Sequence, residues 1–287
     1  MSTQQTAKTQ YVAISDGVKL AYRRLGTGSG TPLVLLIHFR GTMDKWDPVL
    51  INGLAASRPI ITVDYAGVGL STGEVAMTIR QCADDVIRFL NIGGLVAQLI
   101  ALNADPKALK VRKLILAGTG TSAGHGVANN PNTDMPEVGG RKEPDLSVFQ
   151  VLFFPQNREG KAASETWWAR IHERTPQACD EDVSQWLSWG FADQEKGLLA
   201  QSAQLTAFAN PETSKGLDSA YGRLGEPKMP VLMANGKDDY MIPTSNSVLL
   251  QQKVPKGQLI IYPNSGHGFL FQYATLFAKH VLLFLEE

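Results

Sequence analysis

"TPLVLLIHFRG", Thr31 to Gly41, is the stretch on which the reading of the fold turns. An apolar run without alternation, rich in branched side chains and stopped by a turn, fits a strand covered on both faces, as in a parallel sheet. The same signature returns in "RPIITVDYAG" (Arg58–Gly67), "VRKLILAGTG" (Val111–Gly120), "MPVLMANG" (Met229–Gly236) and "GQLIIYPNSG" (Gly257–Gly266). Helical segments lie between or after these runs: "MTIRQCADDVIRFL", "LVAQLIALN", "TSNSVLLQQKV" and "ATLFAKHVLLFLEE". Alternation of strand and helix predicts an α/β fold, a mostly parallel sheet flanked by helices with right-handed crossovers. "YVAIS", a "DG" turn and "VKLAYRRLG" predict an antiparallel hairpin at one edge.

Residues 121–222 break the rhythm. They open with a tract rich in Gly, Asn and Pro and continue as helical, aromatic sequence carrying Phe149, Phe153, Phe154, Trp167, Trp168, Trp186, Trp189 and Phe191. This predicts a helical lid inserted into an α/β core made of residues 11–120 and 223–287. Some of these aromatics are expected to face a cleft, favouring a small apolar or aromatic substrate.

Composition limits the partners. Of 287 residues 44% are hydrophobic, and 27 basic residues balance 27 acidic ones, so no net charge draws the chain to nucleic acid or to an anionic membrane. No apolar run reaches the roughly 18 residues of a membrane span. Cys82 and Cys179 are far apart and suggest neither a disulfide framework nor a metal knuckle. The expectation is a cytoplasmic protein with no cofactor and no metal; "GTGSGT" before the Thr31 strand reads as a turn, not a phosphate loop. Oligomeric state is not legible.

Ligands of parallel sheets bind at the carboxyl ends of strands. There the chain places "HFRG" (His38–Gly41), "NGKDDYMIP" (Asn235–Pro243) and "PNSGHGFLF" (Pro263–Phe271). With the Asp-x-x-Gly-x-Gly-x-Ser turn after Val63, these motifs resemble the α/β-hydrolase fold family from about Tyr11 to Leu285. The resemblance implies a cofactor-free hydrolase of an ester or similar acyl bond. His267 would be the general base, Asp239 the acid that orients it with Asp238 as a less favoured neighbour, and the N–H of Phe39 or Arg40 the oxyanion donor.

The family's nucleophile lies in a Gly-x-Ser-x-Gly elbow between a central strand and a helix. Here "RFLNI" is followed directly by "GGLVAQLIAL", and roughly a dozen residues, with the strand and the serine, are lacking between Ile92 and Gly93. Losing a central strand leaves two unpaired edges, at roughly 1–3 kcal/mol for each buried backbone bond left unmade. The sheet is then expected to close up, or "LVAQLIAL" to become a strand, although its spacing suits a buried helix better. Ser122 in "GTSAG" is a weak substitute nucleophile, because the sequence after it is too rich in Gly, Asn and Pro for the helix an elbow needs. Ser71 reads as a turn residue, and Cys82 lies beside acids that disfavour its thiolate. Two further outcomes stay open: a non-catalytic pseudoenzyme that binds a small molecule, and a His/Asp-dyad lyase or oxygenase-like enzyme.

Overall fold

A computed structural model describes residues 2–15, 17–89, 94–107, 109–132, 134–186 and 196–287. The junction at Ile92 and Gly93, and Trp189 and Phe191, lie outside these residues.

Strands β1 (Gln10–Ser15) and β2 (Val18–Leu25) form the antiparallel hairpin. The apolar runs become β3 (Leu33–Leu36), β4 (Ile60–Val63), β5 (Leu114–Ala117), β6 (Val231–Gly236) and β7 (Gly257–Tyr262). Each of β3 to β7 pairs in parallel with a neighbour, and β2 joins β4 antiparallel. Every residue of β6 is buried, as a strand covered on both faces requires.

Helices α1 (Pro48–Ala55), α2 (Ile79–Phe89) and α3 (Gly94–Asn103) accompany the first strands. Helices α4 (Met135–Gly139), α5 (Leu146–Phe153), α6 (Arg158–Arg170), α7 (Pro176–Cys179) and α8 (Lys196–Ala209) fill the interval between β5 and β6. Helices α9 (Thr244–Lys253), α10 (Phe269–Gln272) and α11 (Ala274–Glu286) complete the chain. Asp47 caps α1 by accepting from Val49 N–H, with Pro48 in the first turn where its missing donor costs nothing. Among the described residues no helix is long and apolar enough to cross a membrane.

The strands form two sheets. One is four-stranded in the order β1-β2-β4-β3 and the other three-stranded in the order β5-β6-β7, and among the described residues nothing pairs β3 with β5. The sheet has therefore not closed up, and "LVAQLIAL" has not become a strand. The reason lies in α3: Val96, Leu99 and Ile100 are buried with the α2 side of the first sheet, while Ala97 packs with Leu114 and Leu116 of the second. As a strand this segment would point alternate residues the opposite way and give up that shared core. On the opposite face one apolar cluster, including Leu50 and Leu54 of α1 and Phe277 and Val281 of α11, spans both sheets from Ile60 to Leu232. Helices thus hold together two sheets that, among the described residues, share no ladder hydrogen bond across the gap.

Candidate active site

His267 and Asp239 meet at the carboxyl ends of the second sheet. The imidazole Nδ1 lies 2.9 Å from Asp239 Oδ2, and the acid side chain is fully buried while the histidine is 14% exposed. Asp239 Oδ1 accepts the N–H groups of Met241 and Ile242 at 2.8 and 2.9 Å, so the carboxylate is fixed by its own loop. With Oδ2 as acceptor Nδ1 carries the proton, and the Nε2 lone pair is left for chemistry. Asp238 is exposed, and its backbone N–H donates to Ser265 O at 3.0 Å, tying the acid loop to the histidine loop.

Two glycines permit this closeness. A Cβ at Gly236 would lie 2.1 Å from Gly266 O, so only glycine lets the two loops touch. At Gly118, just after β5, φ is +55° and a Cβ would lie 3.2 Å from His267 Cε1. The ring therefore rests against bare backbone.

The turn after β3 supplies the second part of the site. Arg40 adopts a left-handed φ of 63°, unusual for a residue with a side chain. Its N–H donates to the Gln201 side chain of α8 at 2.9 Å, and its guanidinium donates to the carbonyls of Gly139, Arg141 and Lys142. Burial lowers that guanidinium to about 10. Among the described residues Phe39 N–H has no hydrogen-bond partner, so of the two expected donors only that of Phe39 is unengaged by Gln201. Gln201 itself went unread in the sequence; its signal is a polar pair, Gln201 and Gln204, on the buried side of an apolar helix.

His38 closes the turn. Its Nδ1 donates to Phe39 O at 2.8 Å, its ring stacks on Trp186 at 5.6 Å and meets Phe153 edge-on, and Nε2 is enclosed without a partner among the described residues. The residue as a whole keeps some exposed surface, but the enclosed ring decides its titration. Burial holds it down to about 4, so it is neutral at pH 7.

The other sequence candidates are occupied. Ser122 is fully buried; its Oγ accepts from Ala220 N–H at 3.0 Å and Tyr221 N–H at 2.9 Å and lies 3.0 Å from Ser219 Oγ. It ties the turn after β5 to Ser219–Tyr221 ahead of β6, and among the described residues no hydrogen bond joins it to His267. Ser71 Oγ accepts from Ala21 N–H and donates to Asp64 O. Burial, together with Asp85, pushes the Cys82 thiol up to about 12, which leaves no thiolate at neutral pH. Among the described residues no group of three or more side chains suited to hold a metal occurs.

A cavity of about 1440 Å³ links these parts. His38, Phe39, Arg40, Gly118 and His267 line it at the carboxyl ends of β3 and β5, and Phe149, Phe153 and Leu152 of α5 add apolar surface there. Behind them the cavity continues between β3 and β5 to the other ends of those strands. Of the remaining insertion aromatics, Trp167 and Trp186 are buried within the cluster beneath it, Trp186 packing 4.4 Å from Phe149.

No family model matches the chain. It is 24% identical over 266 residues to a pimeloyl-[acyl-carrier protein] methyl ester esterase of Nitrosomonas europaea, covering 88% of this chain and 95% of the relative. It is 23% identical to a non-heme chloroperoxidase of Burkholderia pyrrocinia over 96% of this chain and 99% of that protein. Among solved structures, an alpha/beta hydrolase fold protein from Chitinophaga pinensis superposes over the whole of both chains with a TM-score of 0.83 and 27% identity. Fold, strand ends and relatives agree, and the chain is an α/β-hydrolase-fold protein.

Proposed function

We propose that the protein is a cofactor-free hydrolase of an ester or similar acyl bond in which His267 is the general base, Asp239 fixes its tautomer and Phe39 N–H faces the developing oxyanion. The observation that carries this reading is the 2.9 Å contact between His267 and a buried Asp239 at the wall of a large apolar cavity. Phe149 and Phe153 make that wall suited to a small apolar or aromatic acyl group.

Among the described residues no hydroxyl or thiol is hydrogen-bonded to His267. The step these residues allow begins with water: Nε2 takes its proton, the hydroxide adds to the carbonyl carbon, and the tetrahedral oxyanion collapses to release the alkoxide, which recovers the proton from the imidazolium. Turnover is then far below that of a serine hydrolase, with little or no acyl-enzyme formed. The same lack of a nucleophile favours a second reading, a protein that retains the pocket and binds without turnover.

Hydrolysis of p-nitrophenyl butyrate, with fluorophosphonate labelling alongside, tests both. Slow hydrolysis abolished by His267→Ala, with no covalent label, supports the general-base reading. Labelling of a serine by the probe would overturn it in favour of covalent catalysis. Binding of the ester, seen as a raised melting temperature, with no hydrolysis above that of His267→Ala supports the second reading.

A further inference from the structure

The gap between the sheets is more than an apolar hole. In a parallel ladder a residue turns both its N–H and its C=O to the same neighbouring strand, and the next residue turns both the other way. Leu33 N–H donates to Pro59 O, and with the β3–β4 register this directs Leu33 and Leu35 to β4 and leaves Val34 and Leu36 facing away. Leu114 N–H donates to Pro230 O and Gly118 N–H to Ala234 O, so Leu114 and Leu116 serve β6 and leave Ile115 and Ala117 facing away. Val34, Leu36, Ile115 and Ala117 all line the cavity, and their backbone groups have no partner among the described residues. Both strands bring their carboxyl ends to His38 and His267, so the two open edges run in the same direction.

The far mouth of the cavity, where β3 and β5 begin, is basic. Arg58, Lys110, Arg112 and Lys113 line it together with Glu287; Arg58 also feels the charge of Glu286, Lys113 Nζ donates to Phe284 O at 2.7 Å, and Arg58 Nε is buried without a hydrogen-bond partner among the described residues, so the cations outnumber the carboxylates. An alkyl chain filling this space leaves every open backbone group unmet, a cost that a hydrogen-bonding occupant avoids. An extended peptide meets them from both sides at once.

We propose that the cavity is a binding slot for an extended peptide segment of another protein, which enters as a strand parallel to β3 and β5. The segment is apolar on both faces over about five residues, a length of roughly 17 Å, because Val96 and Cys82 cover one side of the slot and Leu54 and Val281 the other. An acidic residue precedes the run, where the strand's amino end meets the basic mouth. This stands apart from the hydrolase reading, since it requires neither His267 nor turnover.

The test uses the full chain and a fluorescein-labelled peptide of one aspartate followed by five alternating valines and isoleucines. Fluorescence anisotropy should show saturable binding. A version N-methylated at alternate residues, equally apolar but lacking those donors, should bind at least tenfold more weakly, and a lysine in place of the aspartate several-fold more weakly. In amide exchange followed by NMR, the amides of Val34, Leu36, Ile115 and Ala117 should gain protection on binding while those of Leu35 and Leu116 change little. Equal affinity of parent and N-methylated peptides, displacement of the peptide by palmitate at lower concentration than by unlabelled peptide, or no binding at all would overturn the proposal. Because binding and exchange are read without substrate, failure of the hydrolase reading does not imitate failure here.

Discussion

At the scale of single residues the site depends on groups held by more than one bond. Asp239 accepts from Met241, Ile242 and His267, so Asp239→Ala strands two backbone donors as well as the imidazole. It is expected to lower stability by about 1–3 kcal/mol, read by urea unfolding, besides removing the tautomer lock. Gly118→Ala sets a Cβ against His267 at a positive φ; a loss of about 1–2 kcal/mol and a shifted His267 ring signal in NMR are expected. An unshifted ring would mean that the backbone there yields more easily than its packing implies. Ser122→Ala removes the acceptor of Ala220 and Tyr221 N–H, and its expected signature is reduced thermal stability with unchanged ester hydrolysis. Of these residues Asp239 and His267 were legible in the sequence through the resemblance of the motifs after their strands to those of the α/β-hydrolase family. The tie from Ser122 to residues 219–221 was not, because a hydroxyl's partner nearly a hundred positions away leaves no mark in local pattern.

At the scale of elements, the segment between β5 and β6 is fastened to β2 and to the start of α1 by buried ions. Asp44 lies 2.5 Å from Arg23 Nη1 and 2.9 Å from Arg174 Nε, and its other oxygen accepts Ser184 N–H. The Arg174 Nε contact is an ion contact whose N–H points out of line for a hydrogen bond. Arg174 also reaches Glu181 at 2.9 Å, and Arg170 of α6 pairs with Asp47 at the cap of α1. Asp44→Leu leaves the fully buried Arg23 without its carboxylate and facing Arg174, which keeps Glu181, and should cost about 3–5 kcal/mol. Arg174→Leu leaves Asp44 its Arg23 and should cost less. Guanidinium unfolding of the two variants checks the order, and equal losses would show that the carboxylate is not the centre of the network.

At the scale of the whole molecule two buried groups oppose each other in their response to pH. Folding holds His38 down to about 4, so its contribution is present above about 6.5 and is lost as pH falls towards 4. Burial pushes Asp64 up to about 7 despite the N–H groups of Met43 and Leu70, so its contribution is present below about 4 and is lost as pH rises towards 7. Each is on the order of 3 to 4 kcal/mol, and between pH 4 and 6.5 they offset each other. Relative to the unaltered protein, Asp64→Asn should lose stability on acidification across that window and His38→Leu should gain it. Parallel curves for all three proteins would exclude both assignments.

By itself the sequence determined the strands and the turns that end them, because burial period and turn chemistry are written in neighbouring residues, and its resemblance to the α/β-hydrolase family pointed to Asp239 and His267, which the structure brings together. Only the tertiary structure decided that β3 and β5 stay apart, that α3 packs against both sheets, that Gln201 takes the Arg40 donor and leaves that of Phe39, and that Ser122 binds Ala220 and Tyr221. Each of those outcomes is a choice of partner between distant segments. A residue's periodicity states that it will be buried, while the competition for hydrogen bonds inside the folded chain states against what.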